Sequence, residues 1–267
     1  MDASGVNKPI IAVAAAVVVL AAAGVYFFRH SAAPPPAAPA PMVNTEPAAE
    51  PAIEHPLPAE AAASGSAAAL PDLADSDAPL RDALARVGGA DAVKDYLLPE
   101  NVIRRLVVTI DNLPRQKVAV ERRPTPPIAG PFLAEGDELH ATLDTQNYER
   151  YKPLVAVIRK LDMQQLAAVY FHFYPLFQQS YQNLGYPSGY FNDRLVQVID
   201  MLLATPRLTG PVELVRPNVM YTYADPALEA RPAGQKLLIR MGPENAALIK
   251  TQLTELRAII TATPPKH

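Results

Sequence analysis

The stretch FNDRLVQVIDMLLATP, residues 191–206, decides the fold class. Phe191, Leu195, Val198, Ile199, Leu202 and Leu203 fall at i, i+4, i+7, i+8, i+11 and i+12, which is one apolar face of an α-helix. Pro206 stands where that helix has to stop. The spacing returns in Ile249, Leu253, Leu256 and Ile260, behind Pro243-Glu244-Asn245. A proline with no N–H to satisfy and an acid facing the helix dipole both suit a first turn. Asp162 and Gln165 form a capping-box pattern ahead of a helix through Tyr174, with a kink or a break expected at Pro175. Residues 80–87 read as a short amphipathic helix after Ser76 and Asp77. Pro99-Glu100-Asn101 opens residues 99–112 as a helix would, although Val107, Val108, Thr109 and Ile110 would also suit a strand. Residues 211–223 alternate with period two around Arg216-Pro217-Asn218 and predict a hairpin, while 114–140 read as a long loop. The expected fold is mainly α: a single helical domain with a small β-hairpin.

Working outward, the chain divides by composition. Of its 267 residues 29 are proline, about twice the usual share of roughly 5%. Residues 9–28, PIIAVAAAVVVLAAAGVYFF, hold twenty positions without a charge, about 30 Å as a helix and enough to cross a bilayer. Tyr26, Phe27, Phe28 and Arg29 close the run as an interfacial anchor would. A cleaved signal peptide is the competing reading, since Ala22-Ala23-Gly24 offers a cut, but its apolar core is ordinarily only about 7–15 residues long. Residues 31–70 carry 9 prolines, 15 alanines and no aromatic residue, which predicts a disordered spacer. No Lys or Arg occurs from His30 to Leu80, so that stretch is easily translocated. The expected organisation is a tail over 1–8, a transmembrane helix over 9–28, a Pro/Ala-rich linker over 29–70, the helical domain over 71–263 and a tail over 264–267. The expected location is a membrane, crossed once, with the C-terminal domain outside the cytoplasm.

The net charge of −3 splits the same way. From residue 81 onward there are 22 basic and 19 acidic side chains, a net of +3, so nothing points to nucleic acid as a partner. Zero Cys excludes a disulfide framework, a thiol nucleophile and an iron–sulfur cluster. With only His140, His172 and His267 in the folded part, no metal site is expected, and no cofactor motif is present.

Eleven of the 18 aromatic residues lie in 148–191. Tyr148, Tyr151, Tyr174 and Tyr181, with Arg150 and His172 beside them, are candidates for an aromatic groove that takes sugar rings or a peptide. The competing reading is plain core, because Phe173, Phe177 and Tyr181 share one helical stripe. Asp225 and Glu229, four residues apart in DPALE, present two acids on one helical face, as general acid–base work requires. The same residues are equally an N-cap, a first-turn proline and a first-turn acid.

Several strings together resemble a known family. They are Asp111-Asn112-Leu113-Pro114, Asn147-Tyr148-Glu149-Arg150-Tyr151, Tyr174-Pro175-Leu176 continuing to Tyr181 and Leu184-Gly185, Ala224-Asp225-Pro226-Ala227-Leu228-Glu229, and Gln235-Lys236-Leu237-Leu238-Ile239-Arg240-Met241-Gly242-Pro243. In this order, over about residues 75–262, they resemble the bacterial domain of unknown function 3014 family. The resemblance implies a membrane-anchored protein with a Pro-rich spacer, and no reaction, cofactor or catalytic residue. The expected function is an envelope protein whose tethered domain binds a protein partner or an envelope polymer such as peptidoglycan without catalysis. The alternative is a cell-wall glycan or peptide hydrolase using Asp225, Glu229 and nearby tyrosines.

Overall fold

Helix-forming periodicity becomes ten α-helices in a computed structural model, which describes residues 52–58, 70–137, 140–217 and 220–262. They are α1 (Asp77–Gly88), α2 (Ala90–Tyr96), α3 (Val102–Asn112), α4 (Gln146–Glu149), α5 (Lys152–Ile158), α6 (Met163–Gln182), α7 (Phe191–Leu203), α8 (Pro226–Glu229), α9 (Ala233–Met241) and α10 (Pro243–Ile260). Residues 9–28 and most of 29–70 lie outside the described residues. Among the described residues no helix is long and apolar enough to cross a membrane.

Helix α7 buries the stripe expected of it: Phe191, Leu195, Val198, Ile199 and Leu202 are all buried, and its outer face keeps Gln197 and Asp200 in solvent. Helix α10 packs against α7 and α6 with Ile249, Leu253, Leu256 and Ile260 inward, and α3 packs against α6 and α7. The segment that also suited a strand is helix α3, because its apolar residues 102, 103, 106, 107 and 110 fall on one buried helical face. Its start is capped from a distance. The carboxylate of Asp77 accepts the backbone N–H groups of Asn101 at 2.7 Å and Val102 at 2.8 Å, two of the donors an isolated helix leaves unsatisfied. Asp162 accepts from the N–H groups of Gln164 and Gln165, and the Gln165 amide returns to the Asp162 carboxylate at 3.0 Å. Helix α6 then continues past Pro175 to Gln182, so the expected break at Pro175 is not there. The ring removes one backbone bond, and Phe173, Tyr174, Leu176 and Phe177, all buried around it, hold the helix together.

The β element is larger than the expected hairpin. Glu213–Val215 (β3) and Thr222–Tyr223 (β4) pair antiparallel as foreseen, with Leu214 opposite Tyr223. A second hairpin, Ala134–Gly136 (β1) with Ala141–Leu143 (β2), extends it to a four-stranded antiparallel sheet in the order β1-β2-β3-β4. These strands come from the edge of the segment read as loop. At three residues each they are too short to show an alternating pattern.

Between sheet and bundle lies α9, all nine of whose residues are buried. Ile239 joins Ala141, Leu143, Val212, Leu214 and Tyr223 in the small core beneath the sheet, while Leu237, Leu238 and Met241 belong to the main helical core. The close packing has sharp local requirements. Gly242, which joins α9 to α10, has φ +85°, and a Cβ there would stand 2.6–2.8 Å from the ring atoms of Tyr148. With its ψ of 159° this is backbone essentially reserved for glycine. Gly242→Ala is therefore expected to lower unfolding free energy by about 2–4 kcal/mol from backbone strain plus overpacking, read as a fall in urea midpoint at unchanged slope.

Candidate functional site

The residues singled out from sequence do not converge on one place. Tyr151 is buried in the main core. The Tyr148 ring covers Gly242, and its carbonyl accepts the Asn245 amide at 2.9 Å. Arg150 staples a loop, donating to the carbonyls of Ala129 at 3.0 Å and Gly130 at 2.8 Å and to Asn147 Oδ1 at 3.1 Å. His172 is half-buried and edge-on to Phe173. Among the described residues no three of His, Asp and Glu gather where they could hold a metal ion.

Asp225 and Glu229 share α8 but face separate tasks. Asp225 caps the helix, accepting the Ala227 N–H at 2.8 Å, with Pro226 in the first turn. Glu229 accepts the Tyr223 N–H at 3.0 Å and binds the Lys236 ammonium at 2.7 Å. Lys236 is 2% exposed, and the carboxylate and the Glu229 carbonyl at 3.0 Å replace water that its ammonium has lost. The Tyr223 hydroxyl donates to the Lys236 carbonyl at 3.0 Å. Burial pushes its pKa up to about 12, against an opposing pull from Arg240, whose guanidinium lies over the Tyr223 ring at 5.5 Å.

Tyr174 and Tyr181 lead to a different place, the N-terminal end of α7. Tyr174, Tyr181, Phe177 and Phe191 are buried there, so most of the aromatic cluster is core. Burial raises the pKa of Tyr170 and Tyr174 well above the ordinary tyrosine value, which keeps both hydroxyls protonated as donors. The Tyr174 hydroxyl reaches Gln178 Oε1 at 3.0 Å. Gln178 also accepts the Phe191 N–H at 2.8 Å and donates to the Gly189 carbonyl at 2.7 Å, so a side chain of α6 caps α7 and fixes the turn before it. Tyr181 stacks on Tyr186 at 4.6 Å, and Gly189 passes so close that a Cβ would lie 2.8 Å from the Tyr181 ring.

These residues border a groove of about 400 Å³ lined by Asp111, Tyr181, Tyr186, Tyr190, Asp193 and Arg194, among others. At one end, Asp111 is buried between two arginines, with Arg115 at 2.8 Å and Arg194 at 3.0 Å. Arg194 also donates to the Asp111 carbonyl at 2.7 Å, tying α7 to the end of α3. At the other end Ala52 and Glu54 form part of the groove's wall. Residues 52–58, inside the stretch read as a disordered spacer, lie against the head of α7. The Asp193 carboxylate accepts the N–H groups of Glu54 at 3.1 Å and His55 at 2.6 Å. The Asn192 amide donates to the His55 carbonyl at 2.9 Å, and the Tyr190 hydroxyl accepts the Leu57 N–H at 3.2 Å. Leu57 packs against the main core. Within the stretch read as a spacer, these seven residues are seated by hydrogen bonds to their backbone.

A family model described as protein of unknown function (DUF3014) matches residues 102–257. The chain belongs to this family. No curated protein and no solved structure matches it. The DUF3014 match begins at the start of α3 and ends within the last turn of α10, so it takes in Asp111 and all of Tyr181 to Arg194, while residues 52–58 lie outside it.

Sequence reasoning reached Tyr174, Tyr181 and the family string containing Asp111, but not Asn192, Asp193 or Arg194 as a binding set. Their one local signal is the pair Asn192-Asp193 directly after an aromatic helix start. The differing roles of the two acids in α8 are measurable. Asp225→Ala is expected to cost about 1 kcal/mol as a lost cap. Glu229→Ala is expected to cost about 3 kcal/mol, because it removes the carboxylate from a buried ammonium and the acceptor from the Tyr223 N–H. Urea unfolding of the two variants side by side checks the difference.

Proposed function

We propose that this chain is an envelope protein held in the bacterial inner membrane by residues 9–28, whose helical domain, carried outside the cytoplasm on its N-terminal arm, binds a partner polypeptide without catalysis. One observation carries the reading: the head of α7 holds the backbone of a segment that bends at Glu54 and His55, through Asp193, Asn192 and Tyr190. Carboxylate, amide and hydroxyl there engage N–H and C=O groups that every polypeptide has. A groove with that chemistry suits a protein partner better than a glycan, whose recognition rests on ring stacking and hydroxyl contacts. The hydrolase alternative loses support from the placement of its acids, since Asp225 holds a helix start and Glu229 holds Lys236. The aromatic surface needed for a sugar platform is also mostly inside the core.

The membrane placement rests on the uncharged twenty-residue run and on the absence of basic residues from His30 to Leu80. Alkaline phosphatase fused after residue 267 is expected to be active in cells, and a cytoplasmic reporter at the same point inactive; the reverse pattern overturns the orientation. A photo-crosslinking amino acid in place of Gln197, which borders the groove, is expected to yield a discrete adduct heavier than the chain. That adduct should shrink with protease and not with a glycan-cleaving enzyme. Absence of any adduct beyond the chain's own mass overturns the partner reading.

A further inference from the structure

Residues 52–58 read AIEHPLP, and the hydrogen-bonding capacity of this segment matches the groove position by position. The N–H groups of Glu54, His55 and Leu57 each meet an acceptor on the domain. Pro56 and Pro58 have no N–H to satisfy, so from Glu54 to Pro58 every backbone donor is either bonded or absent. A residue that precedes a proline is held toward extended backbone, which suits Leu57, while the bend at Glu54 and His55 turns both of their N–H groups toward Asp193. The domain side is equally prepared. Asn192 is fully buried, and its amide donates both to the His55 carbonyl and to the Ile260 carbonyl, while its Oδ1 accepts the Tyr170 hydroxyl at 3.0 Å. One donor of a buried amide is thus aimed at a carbonyl of whatever lies in the groove.

The attachment is also shallow. Ile53 is 53% exposed, Glu54 and Pro56 are exposed, and only His55, Leu57 and Pro58 are half-buried. Four backbone hydrogen bonds and one leucine have to offset the conformational entropy of ordering seven residues. A contact of that size holds chiefly because the segment is joined to the domain through residues 59–69, which places it at an effective concentration in the millimolar range.

We propose that the groove at the head of α7 is a docking site for a proline-flanked polypeptide that bends where its two N–H groups meet Asp193, and that residues 52–58 are its occupant in cis. A partner carrying a segment of the same pattern enters by exchanging with them. The pattern is two consecutive N–H donors, a carbonyl, then a leucine that donates its N–H from between two prolines. This rests on the partner-binding reading and names the site and the chemical class of the partner.

The test uses the full-length chain in detergent and a fluorescent peptide of residues 50–60. A chain carrying Leu57→Asp in its own segment, and a second lacking residues 52–58, are expected to bind the peptide at least about tenfold more tightly than the natural chain, because the tethered competitor is gone. Adding Asp193→Ala to either is expected to weaken peptide binding by roughly tenfold, since two N–H groups lose their acceptor. A peptide with Leu57→Asp is expected not to compete. Equal affinity for the natural and segment-free chains, or binding indifferent to Asp193→Ala, overturns the proposal, provided circular dichroism shows the variants folded. Failure of this titration leaves room for a partner bound elsewhere on the domain. Success here together with no adduct from position 197 in cells would instead overturn the partner reading and leave a groove that serves its own chain.

Discussion

The structure is built around a helix with no outside. Each side chain of α9 is buried, and among them are a lysine, an arginine and a glutamine that water cannot reach. A polar group removed from water costs free energy unless something in the protein replaces the solvent. The replacements come from every direction. The first-turn N–H groups of Ala233 and Gly234 donate to the carbonyls of Arg115 at 2.7 Å and Leu113 at 3.1 Å, in the turn that follows α3. The Gln235 amide reaches the Met201 carbonyl on α7 at 2.7 Å, Lys236 finds Glu229 on α8, and Arg240 lies over Tyr223 on β4. Helices α3, α7 and α8 and the sheet are thereby fixed to one another through a common centre. Gly234 permits that approach, since a Cβ there would stand 2.7 Å from Leu202.

The groove is a by-product of the same economy. The last turn of α3, just ahead of the turn that receives α9, carries Asp111, whose buried carboxylate draws in Arg194 and Arg115. Arg194 in turn orients the first turn of α7, where Tyr190, Asn192 and Asp193 meet the chain that lies across them. Gln178 supplies the cap that α7 lacks locally, leaving the Asp193 carboxylate to accept from outside the helix and not from its own first turn. The residues that recognise a backbone are thus held by bonds that also secure the core, which is how a surface site is kept rigid without a loop to position it.

What the sequence made legible follows from range. Helices α1, α6, α7 and α10 advertise themselves because their apolar residues repeat every turn, and the β3–β4 pair because its alternation is local. The four-residue spacing of Asp225 and Glu229 correctly marked a helix, yet proximity in sequence said nothing of Lys236 as the partner of one acid. Asp77 caps a helix 24 residues onward, and Asp193 takes N–H groups from 139 and 138 residues before it. No window of sequence holds both ends of such a bond. The β1–β2 pair was invisible for the opposite reason, being too short to carry any period. The segment EHPLP was hidden by its setting, since the alanines and prolines around it average away the one stretch whose prolines sit where a backbone donor would be wasted.

The place where residues 52–58 meet the domain also decides where force enters it. Tension drawn along the N-terminal arm does not arrive first at Leu70 and α1, where the continuous chain begins. It arrives at the head of α7, and loads the bonds to Asp193, Asn192 and Tyr190 before any helix of the core. When those bonds part, residues 52–58 are no longer held to the domain. Four hydrogen bonds between the segment and the head of α7 are thus the first described contacts that a pull from the N-terminal side would load.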